Sequence, residues 1–264
     1  MPNKPLSHGR KSISASDKPQ ELITNSPRLK NVWKADVITL YPNCFPGVLS
    51  ESLVGSSLEK QKWMLETINL RDFGIGPHKK VDDTPAGGGP GLVLRADVIE
   101  PALEKATTHP PKGRPFVCMS PRGKRFDQTL AKKWATGPGI IVLCGRFEGI
   151  DERILKRYDI EEISLGDFVM TGGEIAAQAM IDATVRLLPN VLGNPESTID
   201  ESPSRGLLEY PQYTKPAEWK DQKIQDILLS GHHQNIAKWR MDQAKTKTQK
   251  HRPDLWKVWN KSKD

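Results

Sequence analysis

The residues of this chain that could do chemistry gather in three glycine-punctuated stretches. Gly145-Arg146-Phe147-Glu148-Gly149-Ile150-Asp151-Glu152-Arg153 follows the apolar run Ile140–Cys144. Ile163-Ser164-Leu165-Gly166-Asp167-Phe168-Val169-Met170 leads into Thr171-Gly172-Gly173-Glu174, and Pro115–Ser120 leads into Pro121-Arg122-Gly123-Lys124. Without a Cβ, glycine lets main-chain N–H and C=O groups approach an adenine edge or a ribose closely. One such loop alone reads as an ordinary strand-exit turn. Three of them favour one ligand socket, because open α/β sheets bind ligands beyond the carboxyl ends of their strands. Glu148, Asp151, Glu152 and Asp167 would suit a cationic ligand such as a sulfonium. Pairing with Arg146 and Arg153 explains those carboxylates about as well. Neither Gly-x-x-x-x-Gly-Lys-Ser/Thr nor Gly-x-Gly-x-x-Gly occurs, which speaks against nucleotide hydrolysis and an NAD site.

Other candidates stand apart from these loops. Gly87-Gly88-Gly89-Pro90-Gly91 would make a backbone wall for a flat base, although turn chemistry alone also explains it. Asp200-Glu201 lies in a polar linker, where a carboxylate could be carried over a substrate or simply be solvated. Arg186 sits on a helix otherwise apolar on that side and needs an anion or a carbonyl partner. His232 and His233 have no companion at metal-ligand spacing and read as cap or surface residues. Cys44, Cys118 and Cys144 are too few and too widely spaced for a zinc site or a disulfide framework.

The elements that must position these groups alternate between strand and helix. Ala35–Leu40 and Leu65–Leu70 read as strands, as do the runs before the three loops. Ile163–Met170 starts as a strand candidate and contains the loop that runs from Gly166 to Gly173. Helices are expected over Phe45–Lys60, Ala96–Thr107, Lys124–Ala135 and Glu174–Leu188, the last with Glu174 favourably placed on the helix dipole. The alternation predicts an α/β fold with a mostly parallel sheet. Residues 1–30 read as a disordered polar leader, 31–190 as the α/β domain, 191–206 as a flexible linker or lid, and 207–264 as a smaller unit without strand alternation. In that last unit Pro253 breaks the helical pattern, and Lys and Arg interleave with Trp219, Trp239, Trp256 and Trp259.

The formal net charge of +7 permits a polyanionic partner without requiring one. With 36% hydrophobic and 27% charged residues, no apolar run long enough for a bilayer span and no secretory core, the reading is a cytoplasmic protein with no membrane partner.

From about Ala35 to Leu255 the chain resembles one family, the bacterial tRNA (guanine-N1)-methyltransferases (TrmD-like, of the SPOUT class), which modify the guanosine just 3′ of the anticodon. The matching text is Val81-Asp82-Asp83 with Gly87–Gly91, Leu143–Arg153, Ser164–Val169, Gly172–Glu174, Gly206–Pro211, Tyr213–Pro216 and Leu228–His233, in the family's order. The resemblance implies a knotted (trefoil) SPOUT-type domain, a small α-helical C-terminal domain for tRNA, and a homodimer with a composite active site. It implies S-adenosylmethionine as cofactor, with S-adenosylhomocysteine as product. Pro121, Gly145 and Leu165, Gly166, Asp167, Phe168, Val169 and Met170 match cofactor contacts, and Gly172 and Gly173 complete their loop. Glu148 matches a carboxylate near the methionine moiety or the guanine, with Gly87, Gly88 and Gly89 on the substrate side. Arg186 matches an arginine near guanine O6. The family's basic aspartate falls on Glu201, with Asp200 one residue earlier, and a family tyrosine falls on Cys118. No metal site is expected, and magnesium is neither demanded nor excluded. The competing readings are a non-catalytic RNA-binding protein and an enzyme acting on another adenosine-bearing molecule.

Overall fold

The computed structural model describes residues 32–108, 111–192 and 206–261. The leader, most of the linker, and with it Asp200 and Glu201, lie outside the described residues. Five strands form one parallel sheet: β1 (Trp33–Thr39), β2 (Trp63–Asn69), β5 (Phe116–Arg125), β6 (Gly139–Cys144) and β7 (Glu161–Ser164), in the order β2-β1-β6-β5-β7. Two-residue strands β3 (Asp82–Asp83) and β4 (Val93–Leu94) pair antiparallel around the glycine-rich loop. The helices among these strands are α1 (Ser52–Glu59), α2 (Ala96–Thr107), α3 (Gln128–Thr136), α4 (Glu152–Arg157) and α5 (Glu174–Val185).

The sheet is buried on both faces, as its runs of β-branched residues require. Trp33, Ala35, Val37, Ile140, Val142 and Cys144 pack on one side against Ala177, Met180 and Ile181 of α5. Ile38, Ile141 and Leu143 pack on the other against Val98, Ala102 and Leu103 of α2. Near the start of β1 this second face turns polar. Lys34 and Asp36 are buried, and Asp36 pairs with the buried guanidinium of Arg114. Lys34 Nζ lies 2.8 Å from Asp36 Oδ1 and 2.6 Å from Glu66 Oε2. Burial pushes the Asp36 carboxyl up, and Arg114 and Lys34 hold it down only in part.

Three expectations need correction. The first helix begins at Ser52 and not Phe45, because two short 3₁₀ turns, Pro42–Cys44 and Gly47–Ser50, come before it. The third helix begins at Gln128 and not Lys124, because β5 runs on to Arg125 and Asp127 is the N-cap, accepting the Leu130 N–H at 2.8 Å. The C-terminal stretch is not strandless: β8 (Glu218–Trp219) and β9 (Gln222–Lys223) form a hairpin before α6 (Asp226–Leu229).

The rest of that stretch is helical, in α7 (His233–His251) and α8 (Pro253–Lys261). Pro253 opens α8 at a position where a missing N–H costs nothing. His232 is the α7 N-cap, and both it and His233 are exposed. Among the described residues no helix is long and apolar enough to cross a membrane.

Candidate active site

The three loops converge. A cavity of about 280 Å³ opens at the bulge of β5 and beyond the carboxyl ends of β6 and β7, lined by Pro121, Gly145, Glu148, Leu165, Gly166, Phe168, Val169, Met170, Gly172 and Gly173. Each wall has a local cause. In β5, Met119 and Lys124 both align with Ile163, so Ser120–Gly123 bulges out of the ladder and carries Pro121 to the cavity. A Cβ on Gly123 would meet the Glu162 backbone at 2.2 Å, so only glycine permits that bulge. Because β7 ends early, the backbone of Leu165–Met170 is free of the sheet. Cys118 also lines the cavity, with its thiol pushed up to about 12 by burial.

The loop after β6 is joined to the glycine-rich hairpin by a short backbone ladder. Glu148 N–H donates to Leu92 O at 2.9 Å, Leu94 N–H to Gly149 O at 3.0 Å, and Asp151 N–H to Leu94 O at 3.0 Å. A Cβ on Gly91 would lie 2.3 Å from Glu148 Cγ and 2.6 Å from its Oε1. Gly91 therefore makes the room in which the Glu148 carboxylate stands. Gly87, Gly88 and Gly89 form the exposed tip of the same hairpin and do not line the cavity.

The carboxylates divide by role. Glu148 faces the cavity. Asp151 caps α4 and chelates the Arg153 side chain, which holds its carboxyl below the usual range, and this is the structural alternative realised. Asp167 does not line the cavity: its side chain is 89% exposed and lies 3.3 Å from Arg125. Glu152 is 3.6 Å from Arg122. Arg146 pairs with none of these but with Glu174, whose side chain is 3% exposed. A second hollow, between the β3–β4 hairpin and α4, is lined by Arg95, Arg153 and Arg157, each paired with a neighbouring carboxylate.

Arg186 is the C-cap of α5, half-buried, and does not line its own chain's cavity. Twelve residues from Glu174 at 1.5 Å each place it roughly 18 Å along the helix from the cavity end.

In the C-terminal stretch the tryptophans are not all free to stack on a ligand. Trp256 and Trp259 stack on each other with centroids 5.2 Å apart, and Trp239 donates to Gln225. Trp219, at the hairpin tip, is 57% exposed.

The model of a family described as tRNA (Guanine-1)-methyltransferase TrmD matches residues 33–258. The chain is 57% identical over 241 residues to the tRNA (guanine-N(1)-)-methyltransferase of Ruegeria sp. (strain TM1040), covering 91% of this chain and 99% of that protein. The corresponding protein of Ruegeria pomeroyi is 55% identical over 242 residues, covering 92% and 100%. That of Gluconobacter oxydans is 52% identical over 227 residues, covering 86% and 96%.

Proposed function

The chain belongs to the tRNA (guanine-1)-methyltransferase TrmD family, and we propose that it methylates N1 of the guanosine immediately 3′ of the anticodon in tRNA. The observation that carries this reading is the convergence of three loops on one cleft with Glu148 on its wall. The cleft fits S-adenosylmethionine. Its glycines leave main-chain groups open to an adenine, and Gly173, where a Cβ would sit 2.9 Å from Met119 Cβ, lets its loop pack close against β5 and β6. Glu148 offers the sulfonium a carboxylate. Pro121, Gly145, Leu165–Met170, Gly172 and Gly173 would hold this cofactor, Asp167 through its backbone. When bound, the cofactor supplies an activated methyl group and leaves as S-adenosylhomocysteine.

Guanine N1 carries a proton at neutral pH and attacks poorly until that proton is taken. A linker carboxylate, Asp200 or Glu201, is the base, delivered as residues 191–206 close over the substrate. Arg186 stabilises the charge that grows on O6 by a charge-assisted hydrogen bond. Its distance from its own cavity is met by a composite site: in a homodimer, Arg186 and the linker of one copy serve the cavity of the other. The Gly87–Gly89 tip contacts the guanosine. Residues 207–264 form the tRNA-binding helical domain, its lysines and arginines on phosphates and Trp219 against an unpaired base. We further infer the family's trefoil knot for residues 31–190 and a cytoplasmic site of action.

The test is methyl transfer from labelled cofactor to unmodified tRNA transcripts. Transfer is expected with guanosine 3′ of the anticodon, is absent with adenosine there, and is lost in Arg186→Ala and in the double change of Asp200 and Glu201 to Ala. Salt-sensitive tRNA binding without transfer or cofactor binding would make the chain a non-catalytic RNA-binding protein instead.

A further inference from the structure

We propose that Glu174 is a positioning residue, which holds Arg146 as a bracket between the two cofactor loops and so sets the register of the cavity's walls. This rests on the reading of that cavity as the S-adenosylmethionine site. Glu174 opens α5, where an acidic residue ordinarily stays in water and gains a modest dipole term. Here it is 2% exposed, and burying a carboxylate is costly unless it is paired and hydrogen-bonded.

It has two side-chain partners, Arg146 after β6 and Thr39 at the end of β1. Arg146 Nη2 lies 2.8 Å from Glu174 Oε2, and Arg146 Nε donates to Oε1 at 3.2 Å. The Thr39 hydroxyl donates to the same Oε1 at 2.7 Å, and Thr39 Oγ1 in turn accepts the Tyr41 N–H at 3.0 Å. Arg146 Nη1 donates to Thr171 O at 3.2 Å, and the guanidinium lies 4.4 Å from the centre of the Tyr41 ring.

The bracket thus ties the loop after β6, the turn at Thr171–Gly173 and the exit of β1. The main chain repeats the tie, with Gly173 N–H donating to Gly145 O at 3.0 Å and Arg146 bridging Gly172. Gly172 is required for it, since a Cβ there would stand 2.2 Å from Arg146 Nε. Arg146, Thr171, Gly172 and Gly173 line the cavity and Glu174 does not. Glu174 therefore acts through Arg146. Because the Nε hydrogen bond to Oε1 and the Nη2 ion pair to Oε2 hold the guanidinium at two points, Glu174 sets where the next residues, Phe147 and Glu148, stand.

The test compares wild type with Glu174→Ala, Glu174→Gln and Arg146→Lys. Calorimetry gives S-adenosylmethionine affinity, thermal unfolding gives stability, and steady-state methyl transfer gives KM and kcat. Losing one charge-assisted pair predicts about tenfold weaker cofactor binding in Glu174→Ala and Arg146→Lys. KM for the cofactor should rise in step, with KM for tRNA unchanged. Glu174→Gln, which still accepts from Thr39, should recover part of the affinity. Wild-type cofactor affinity in Glu174→Ala overturns the bracket alone. So does a loss that Glu174→Gln does not relieve and that only tracks the fall in melting temperature. A wild-type protein that binds no S-adenosylmethionine overturns the reading of the cavity itself, and the bracket with it.

Discussion

Replacing Gly91 by alanine should damage methyl transfer through Glu148, and the size of the effect follows from two separable costs. At φ +82° an L side chain is strained, by roughly 1–2 kcal/mol. Gly76→Ala carries the same kind of strain, with φ +72° and nothing within 4 Å of its Cβ, and it lies outside the site. In a protein of this size both substitutions should lower the melting temperature by about 2–4 °C per kcal/mol. Only Gly91→Ala meets Glu148: the new Cβ would stand 2.3 Å from Cγ and 2.8 Å from Cδ, where ordinary contact begins at 3.4 Å. The carboxylate must give way by about 1 Å, and a misplacement of that order costs about 10²-fold in rate. So kcat/KM should fall about 10²-fold in Gly91→Ala and stay near wild type in Gly76→Ala. Glu148→Ala should lose a similar factor, and the double variant should lose no more than the worse single one. Urea unfolding and steady-state methyl transfer are the assays. Multiplicative losses in the double variant, or equal activity in Gly91→Ala and Gly76→Ala, would refute the reasoning.

Three further outcomes are expected. Arg114→Met should lower unfolding free energy by about 2–3 kcal/mol, because it takes a charge-assisted hydrogen bond from the buried Asp36 carboxylate and leaves it with Lys34; chemical denaturation measures it. Native-state alkylation at pH 8 should modify Cys44 ahead of the others: it is exposed, whereas burial pushes the Cys118 thiol up to about 12 and raises that of Cys144 as well, so mass spectrometry should find one label. Asp127→Ala should cost about 1 kcal/mol of stability by removing the α3 N-cap while leaving cofactor affinity unchanged, as read by thermal unfolding beside calorimetry.

The centre of the sheet was legible because β6 is a short apolar run ending at Gly145, as a buried parallel strand must look. The convergence of Pro121, Gly145 and Leu165–Met170 followed from the rule for strand ends. What stayed hidden depends on tertiary partners. Nothing local marks the Ser120–Gly123 bulge, which arises from competition for one position on β7. The β8–β9 hairpin turns at Lys220 and Asp221, both at positive φ, without the glycine that announces such a turn. Sequence could list the carboxylates near Arg146 but could not choose among them, and the partner proved to be Glu174, 28 residues away. Lys34, Asp36 and Arg114 sit on a buried face where the pattern alone would put apolar residues. Arg186 met the substrate only through the family resemblance, and one helix length separates it from the socket.

That separation makes mixing two inactive variants the most direct measurement. Glu148→Ala spoils the cavity wall and Arg186→Ala removes the arginine proposed to stabilise O6. Denatured together and refolded, chains pairing at random into the proposed twofold dimer would give half mixed pairs, each with one intact composite site, so activity should return to about a quarter of wild type. If the mixture stays as inactive as its components, cavity and arginine belong to the same chain and the composite site is wrong.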